Sequence, residues 1–212
     1  MLAHHALSGA VRRLRPWEGR LYAEHLERLP PDARRRRFHG EVKSEALRAH
    51  ASRVAKDPDR RVFGWFDEGI LRGAAEISLP QGGSTAECAF AVEPQAQRRG
   101  VGSALMERAI LYARNHGATR FIVLTSRENQ PMLKLGRKFG FHFESDGGEM
   151  EGEITPDPFS AYSLFLEAAE EETGMLAWRG ARNAAWWREA GGRFWKAWSQ
   201  QTPGSGRFKR GA

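Results

Sequence analysis

Cysteine is almost absent from this sequence of 212 residues, because Cys88 is the only one. A single cysteine excludes an internal disulfide framework and a cysteine zinc site, and it predicts a reducing, cytoplasmic location. No His-Glu-x-x-His motif occurs and the histidines are scattered, so we expect no metal site. No apolar run approaches the roughly 18–20 residues of a membrane span. The first residues also lack the apolar core of a signal peptide, which predicts that none is present.

A uniform sign of charge is also missing, although the net charge is +7. Residues 1–61 hold 15 basic and 8 acidic side chains, whereas residues 62–172 hold 10 basic and 17 acidic ones. Residues 173–212 then hold 8 basic and 1 acidic. Because the central part is net negative, the composition disfavours a protein that coats nucleic acid. We expect an unidentified partner at one of the two basic ends.

The apolar periodicity predicts a mixed α/β domain. Short turns make the first three predicted strands antiparallel neighbours, and the strand–helix–strand unit that follows predicts one parallel crossover, with a ligand site near the strand ends. The predicted helices cover residues 16–29, 42–54, 101–116 and 129–139, and the predicted strands cover 61–66, 70–79, 85–92, 120–125, 141–144 and 149–154.

The pattern changes after residue 155, which predicts a domain over residues 11–155 followed by a helical extension over residues 156–201. That extension is rich in tryptophan and arginine. Its tryptophans either pack on their own domain or contact a membrane surface, a protein groove or single-stranded nucleic acid. Residues 202–212 are predicted to be a disordered tail. The sequence leaves the oligomeric state open.

The segment from residue 85 to 105 carries the strongest functional signal, because a strand runs through a glycine loop into a helix. Gly100 and Gly102 allow an anion to approach the unpaired amides at the helix start. Arg98 and Arg99 add positive charge beside them. This chemistry predicts a cradle for a phosphate or pyrophosphate. A plain tight turn and a solvated charge pair are the alternative interpretations.

The pattern Gln97-x-x-Gly100-x-Gly102 resembles the cofactor motif of the GNAT superfamily of N-acetyltransferases, Gln/Arg-x-x-Gly-x-Gly/Ala. The helix that Asn129 opens, closed by Gly140-Phe141, is similar to another element of that family. The resemblance implies a GNAT-like α/β fold: a mixed, mostly antiparallel central sheet flanked by helices. It also implies acetyl-CoA as the cofactor. The cofactor-binding residues that it implies are Phe90, Ala91, Val92, Gln97, Arg98, Arg99, Gly100, Val101, Gly102, Ser103, Ala104, Asn129 and Met132.

Two carboxylates in strand runs are candidate catalytic bases, Glu87 and Glu76. Alternation places Glu87 on one face with Ala89 and Ala91, and a carboxylate among small residues invites a raised pKa and a role as base. The strand Ala-Glu-x-Ala-Phe-x-Val also resembles the bacterial protein-lysine acetyltransferase (Pat-like) branch, where this Glu is the proposed base. The alternatives are a structural partner of an arginine for Glu87 and a polar strand face for Glu76. Cys88 is predicted to pack in the core.

One departure from the family concerns Gly136, which lies where many members carry a tyrosine that protonates the leaving thiolate. Water is then the expected proton source. The stretch from Pro31 to Phe38, with four arginines, resembles the stretch of the same branch that helps to wall the acceptor site. It is either a solvated basic turn or a surface that recognises an acidic acceptor.

These patterns together predict an acetyl-CoA-dependent N-acetyltransferase that transfers the acetyl group directly to a primary amine. The acceptor is either a protein lysine or a small-molecule amine. A non-catalytic acyl-CoA-binding regulator is the alternative from another class of protein, and the missing tyrosine is its only support in the sequence.

Overall fold

The computed structural model describes residues 10–146 and 149–201, in which seven strands form one sheet. All neighbouring strands are antiparallel except β4 and β5, and the order across the sheet is β1-β2-β3-β4-β5-β7-β6. The strands are β1 (Ala10–Arg13), β2 (Arg60–Asp67), β3 (Ile70–Ser78), β4 (Thr85–Val92), β5 (Arg120–Ser126), β6 (His142–Asp146) and β7 (Glu149–Ile154). The helices are α1 (Gly19–Arg28), α2 (Pro31–Phe38), α3 (Ser44–Lys56), α4 (Val101–Asn115), α5 (Gln130–Lys138) and α6 (Ala161–Gln201).

Apolar side chains are buried on both faces of the sheet. On one face, strand residues such as Phe63 and Ile77 pack against Leu105 and its neighbours on α4. On the other face, Val62 packs with residues of α1 and α3, including Leu26. The alternation of side chains along each strand explains this division, since successive residues point to opposite faces. The predicted α/β architecture is confirmed.

The strands β4 and β5 begin as a parallel pair and then separate. Thr85 pairs with Arg120 and Glu87 pairs with Ile122, but no pairing is recorded beyond that point, although β4 continues to Val92. The backbone groups of the second half of β4 on this side therefore have no strand partner. The crossover through α4 that connects the two strands is the parallel unit that the sequence predicts.

Two elements are absent from the sequence-based prediction. The edge strand β1 is short and carries Arg12, whose charge hides the apolar alternation, and α2 lies in the stretch interpreted as a basic turn. Pro31 begins α2, because proline is favoured in the first helical turn. The last two strands also differ from chain order, since β7 inserts between β5 and β6.

The C-terminal helix α6 runs without a break for 41 residues and packs on β1 and α4. Gly174 lies directly against the carbonyl oxygen of Val11, where a larger side chain would clash. The guanidinium of Arg12 lies 4.3 Å from the ring centroid of Phe66 and 4.2 Å from that of Trp178. The side chains of Trp186, Trp187, Trp195 and Trp198, and the predicted tail 202–212, lie outside the part that the structure describes.

Candidate active site

The open edge of β4 is the centre of the candidate site. Phe90 and Val92 are half-buried and pack towards α4, whereas Ala91 lies on the opposite face with α1 and α3. Because β5 has already separated, the main-chain groups between Ala89 and Val92 that point away from β3 are available to an extended ligand chain, apart from the Val92 carbonyl, which Gln97 contacts. A strand edge of this kind binds a partner through main-chain hydrogen bonds.

The loop between β4 and α4 contains two residues with a left-handed backbone conformation. Arg98 has φ of 58° and Gly100, which precedes α4, has φ of 82°. Gln97 donates a hydrogen bond from Nε2 to the carbonyl oxygen of Val92 at 3.0 Å, which closes the loop on the strand that it leaves. No side chain among the described residues caps the first amides of α4. Those amides can therefore hold an anion.

The residues around this helix start divide into two groups. Val101 is buried in the core and Gly102 faces α5, where an added Cβ would come within 3.2 Å of Leu135. The small size of Gly102 therefore serves helix packing as well as access to the amides. Ser103 accepts a hydrogen bond from Lys138 at 3.1 Å, and Ala104 lies next in the same turn.

The two loop arginines are not equivalent. Arg98 is exposed, whereas Arg99 forms an ion pair with Asp67 at 2.8 Å and lies 4.9 Å from the ring centroid of Trp65. The ion pair connects the loop to the end of β2. Of the two, Arg98 is thus the side chain that can turn towards a phosphate without giving up this contact.

Asn129 connects the end of β5 to the start of α5. Its side chain accepts a hydrogen bond from the amide of Met132 at 3.4 Å and donates one to the hydroxyl of Thr125 at 2.9 Å. The residue is therefore a helix N-cap. This role is structural, and contact of Asn129 with a cofactor stays a prediction. Met132 is half-buried and packs against the core beneath α4.

Glu87 lies at the point where β4 and β5 part. It pairs with Ile122 on one side and with Ser78 on the other, and its side chain is exposed. Alternation puts it on the face of Ala89 and Ala91, as predicted. Among the described residues it takes part in no recorded ion pair. Its side chain is therefore accessible from the opening between the two strands.

Glu76 differs from Glu87 although it lies on the same face. It is buried, and its Oε2 accepts hydrogen bonds from Tyr22 at 2.7 Å, His50 at 2.7 Å and Arg37 at 2.6 Å. Its Oε1 accepts one from Arg60 at 2.6 Å. We refer to these five residues as the Glu76 cluster. A carboxylate with both oxygens occupied cannot take a proton from an amine without breaking the cluster.

The electrostatics of the Glu76 cluster support this structural role. Burial alone raises the pKa of Glu76, but the hydrogen bond from His50 and the charge of Arg37 outweigh burial and lower it to about 2. The carboxylate is thus ionised and held by cations. These contacts favour a structural role for Glu76 over the expected role as a second base. Its partners were missed in the sequence, where the signal was an acidic residue inside an apolar strand run.

A second buried carboxylate, Glu93, anchors the start of the cofactor loop. Its Oε1 accepts a hydrogen bond from Arg28 at 2.9 Å and lies 3.0 Å from Nδ1 of His25. Its Oε2 accepts hydrogen bonds from Arg72 at 2.8 Å and Gln95 at 2.7 Å. Burial raises its pKa, but the bonds from His25 and Arg72 lower it to about 2. Glu93 therefore ties the loop to α1 and β3.

Gly136 is small because Phe143 fills the space beside it. An added Cβ would lie 2.5 Å from the Phe143 ring, so a tyrosine does not fit there unless that ring moves. Cys88 is buried in the core as predicted, and burial raises the pKa of its thiol well above the ordinary value. Neither residue therefore supplies an acid or a nucleophile.

The helix α2 covers the face of the sheet that carries Glu87. Arg37 attaches the helix to Glu76 on β3, and His39, at the C-terminal end of the helix, lies 2.6 Å from Glu149 on β7. The helix contacts β4 and β5. It therefore bridges the opening between the strands on this face, where it forms one wall of the space above Glu87.

A family model of the acetyltransferase (GNAT) family matches residues 20–141, more than half of the chain. The chain belongs to the GNAT family. Its relative YwnH of Bacillus subtilis strain 168, which carries a provisional description as a phosphinothricin acetyltransferase, is 29% identical over 122 residues. That match covers 58% of this chain and 69% of YwnH.

Several solved structures share the fold of this GNAT chain. The GNAT domain of S. lividans PAT superposes with a TM-score of 0.60 at 22% identity, over 69% of this chain and 90% of that one. Spermidine N-acetyltransferase from Vibrio cholerae, in complex with CoA and spermine, superposes with a TM-score of 0.57 at 18% identity. That match covers 70% of this chain and 96% of the other. YncA from Salmonella typhimurium, with its cofactor acetyl-CoA, superposes with a TM-score of 0.54 at 17% identity. That match covers 72% of this chain and 96% of the other. At these identities the likeness concerns the fold.

Two further searches of the described residues gave nothing. None of the helices there combines the length and apolarity needed to cross a membrane. Within the same residues, no group of three or more histidine, cysteine or acidic side chains is arranged to hold a metal ion.

Proposed function

We propose that this chain is an acetyl-CoA-dependent N-acetyltransferase that transfers an acetyl group directly to a primary amine. The observation that carries the proposal is the separation of β4 from β5 beyond Glu87, beside the loop that opens α4 at Gly100. Membership of the GNAT family and the solved relatives with acetyl-CoA or CoA support the choice of cofactor.

The described residues fit acetyl-CoA, which supplies an acetyl thioester when bound. The amides of Val101, Gly102 and Ser103 at the start of α4 would hold its pyrophosphate, with Ala104 in the same turn and Arg98 beside them. The backbone of Phe90, Ala91 and Val92, which has no strand partner on this side, would pair with the pantetheine arm. Met132 and the side-chain amide of Asn129 lie at the start of the helix on the other side of the opening and complete the set.

Glu87 is the residue that we assign to proton transfer. A lysine-type amine with a pKa near 10.4 is almost wholly protonated at pH 7, so it must lose a proton before its nitrogen attacks the thioester carbon. Glu87 is the carboxylate beside the opening whose oxygens are not engaged by the Glu76 cluster, so it accepts that proton directly or through water. As the carbon–nitrogen bond forms and the carbon–sulfur bond breaks, the nitrogen loses a second proton. That proton would reach the departing sulfur through water, because Gly136 carries no side chain that could donate one.

For the acceptor we propose a protein lysine. The residues that support this choice are those that resemble the protein-acetylating branch, on β4 and at the start of α5. A small-molecule amine is the competing candidate, favoured by the description of YwnH, the relative with 29% identity. The two candidates predict different acceptors for one and the same site.

The extension is also proposed to contact a protein or a membrane surface. On the described part of α6, Tyr162, Phe165 and Leu176 are each about two-thirds exposed on the side that faces away from Gly174. Large exposed apolar side chains on one face indicate an interaction surface. Vesicle co-sedimentation and pull-down with the full chain test this contact, and binding to neither would count against it.

The function is tested by thiol release from acetyl-CoA. We expect release only when an amine acceptor is present, with the acetyl group found on that acceptor by mass spectrometry. Lysine-bearing peptides and proteins, polyamines and amino acids form the acceptor panel, and lysine acetylation in cells with and without the gene complements it. Tight binding of acetyl-CoA with no transfer to any member would instead favour the acyl-CoA-binding regulator.

A further inference from the structure

A cavity of about 370 Å³ lies at the end of the sheet where β1 leads into α1. Its floor is apolar and buried, formed by Leu14, Tyr22, Val54 and Val62. Ligand pockets commonly have about this size and combine an apolar floor with a few polar groups. This space is therefore large enough for a small organic molecule.

The rim of the cavity is strongly cationic. Asp57 is the only acidic residue among the described residues that line it. The surplus of positive charge in a space with an apolar floor favours an anionic ligand. The basic lining residues are Arg13, Arg15, Lys56, Arg60 and Arg61.

Arg61 and Lys56 are two of the rim cations that no carboxylate pairs with among the described residues. Arg60 is already paired with Glu76, but Arg61 donates from Nη1 only to main-chain oxygens, including that of Pro58 at 2.6 Å. Its Nε is buried and has no hydrogen-bond partner in the described chain. Lys56 is exposed and is recorded in no ion pair there. Burial and the nearby charge of Arg61 lower the pKa of Arg13, so the two guanidiniums lie close enough to repel.

An adjoining groove extends the cavity towards an exposed tryptophan. The two spaces share Pro16, Gly19, Ala55 and Lys56. The groove is also lined by Trp17, which is 78% exposed. An exposed indole offers a flat apolar surface on which a ring can stack. The groove therefore supplies a contact for the uncharged part of a ligand.

The cavity is separate from the cofactor site. Arg60 pairs with Ser78, and Ser78 pairs with Glu87, so the rim lies two strands away from β4. It is also at the end of the sheet opposite the loop that leads to Gly100, since β4 runs from Thr85 towards that loop. A ligand here would not occupy the place proposed for acetyl-CoA.

We propose that this cavity binds a phosphate ester with a flat apolar body. The phosphate lies against Arg61 and Lys56, and the body extends along the groove to Trp17. A guanidinium matches the geometry of phosphate oxygens, and an ammonium adds a point charge. Because Tyr22 and Arg60 belong both to the cavity wall and to the Glu76 cluster, a ligand here contacts residues that hold the acceptor face.

The probe is phenyl phosphate, titrated by calorimetry into the full chain saturated with CoA so that the cofactor loop is filled. We expect one saturable site that binds phenyl phosphate about tenfold more tightly than inorganic phosphate or phenol, a difference of about 1.4 kcal/mol. Arg61→Gln and Lys56→Gln should each weaken phenyl phosphate about tenfold. Trp17→Ala should remove the preference over inorganic phosphate and leave the affinity for inorganic phosphate unchanged.

The matched control is Arg53→Gln. Arg53 is an exposed cation on α3, the helix that also carries Lys56, but it does not line the cavity. Lys56→Gln keeps the test decisive if Arg61→Gln does not fold, because Lys56 is exposed. An absence of saturable binding, or an equal loss in the Arg53 variant, would reduce the effect to general attraction by a basic surface and overturn the proposal. Binding of phenyl phosphate only without CoA would assign it to the cofactor loop, with the same result. Failure to bind CoA would instead count against the proposed function.

Discussion

Arg37 donates a hydrogen bond from Nη2 to Oε2 of Glu76 at 2.6 Å, and this contact holds α2 over the sheet. None of the residues of α2 is fully buried, although Ala33 and Phe38 pack against the core on this face. The same carboxylate is shared with Tyr22 and His50, so three helices converge on one acidic residue of β3. The wall of the candidate acceptor site thus combines a buried ion pair with the apolar contacts of Ala33 and Phe38.

Replacing Glu87 tests the proposed base. In Glu87→Gln we expect kcat to fall about 10²–10⁴-fold, with the KM for acetyl-CoA unchanged, because the amide cannot accept a proton. The variant should recover activity as the pH rises towards the pKa of the amine, which then deprotonates by itself. Steady-state thiol release across pH measures both effects. Glu107→Gln, an exposed carboxylate on α4, is the control, and unchanged turnover in Glu87→Gln would remove this role.

Replacing Glu76 tests its structural role through acid stability. The fold lowers the pKa of Glu76 from an ordinary 4.5 to about 2, so its ion pairs contribute fully above pH 4.5 and are lost as the pH falls towards 2. Glu76→Gln should reduce the free energy of unfolding at neutral pH by on the order of 3 kcal/mol. The substitution should also flatten the pH dependence of the free energy of unfolding between pH 4.5 and about pH 2. Urea unfolding at several pH values measures this, and an unchanged slope would contradict it.

The loop glycine before α4 should matter for cofactor binding beyond its backbone strain. Gly100→Ala places a Cβ at φ of 82°, which costs about 1–2 kcal/mol of stability. Gly117→Ala is the matched control, because its φ is 86° and its surroundings are open. Both variants should lose similar stability, but only Gly100→Ala should bind acetyl-CoA less tightly, by about tenfold or 1.4 kcal/mol. Equal affinities in calorimetry would contradict the assignment.

The close approach of Gly136 and Phe143 predicts that a substitution at one residue can partly restore the stability lost at the other. Gly136→Ala should destabilise the domain by about 1–3 kcal/mol, because its Cβ would meet the Phe143 ring and the core cannot expand. Phe143→Leu, which removes ring atoms, should recover part of that loss in the double variant. A double-mutant cycle of thermal or urea unfolding measures the coupling. Additive losses would show that the two sites are independent.

The attachment of α6 should depend on Trp178. Its ring and that of Phe66 cover the buried guanidinium of Arg12, so Trp178→Leu should cost about 2 kcal/mol of stability. Trp17→Leu changes a side chain that is 78% exposed, and it should stay within about 0.5 kcal/mol of the parent chain. Chemical unfolding of the two variants compares them directly. An equal effect would mean that α6 is not held at this point.

The sequence was informative where chemistry and periodicity agree locally. The strand at 85–92, the glycine loop and the helix that begins at Val101 were predicted where they occur, because turn residues and apolar spacing act over a few neighbours. Cys88 in the core and Asn129 as a helix cap follow from the same short-range rules. These motifs also allowed the family and its fold to be predicted.

Only the tertiary structure separated Glu76 from Glu87. Both are acidic residues in strand runs, and alternation places them on the same face. Through long-range contacts, the guanidinium groups of Arg37 and Arg60 enclose Glu76. Glu87 instead lies exposed at the point where β4 separates from β5. By itself the sequence determined the local elements and the cofactor motif, because these depend on neighbouring residues. The ion-pair partners, the place of β7 and the burial of each carboxylate depend on residues far apart in the chain, which only folding brings together.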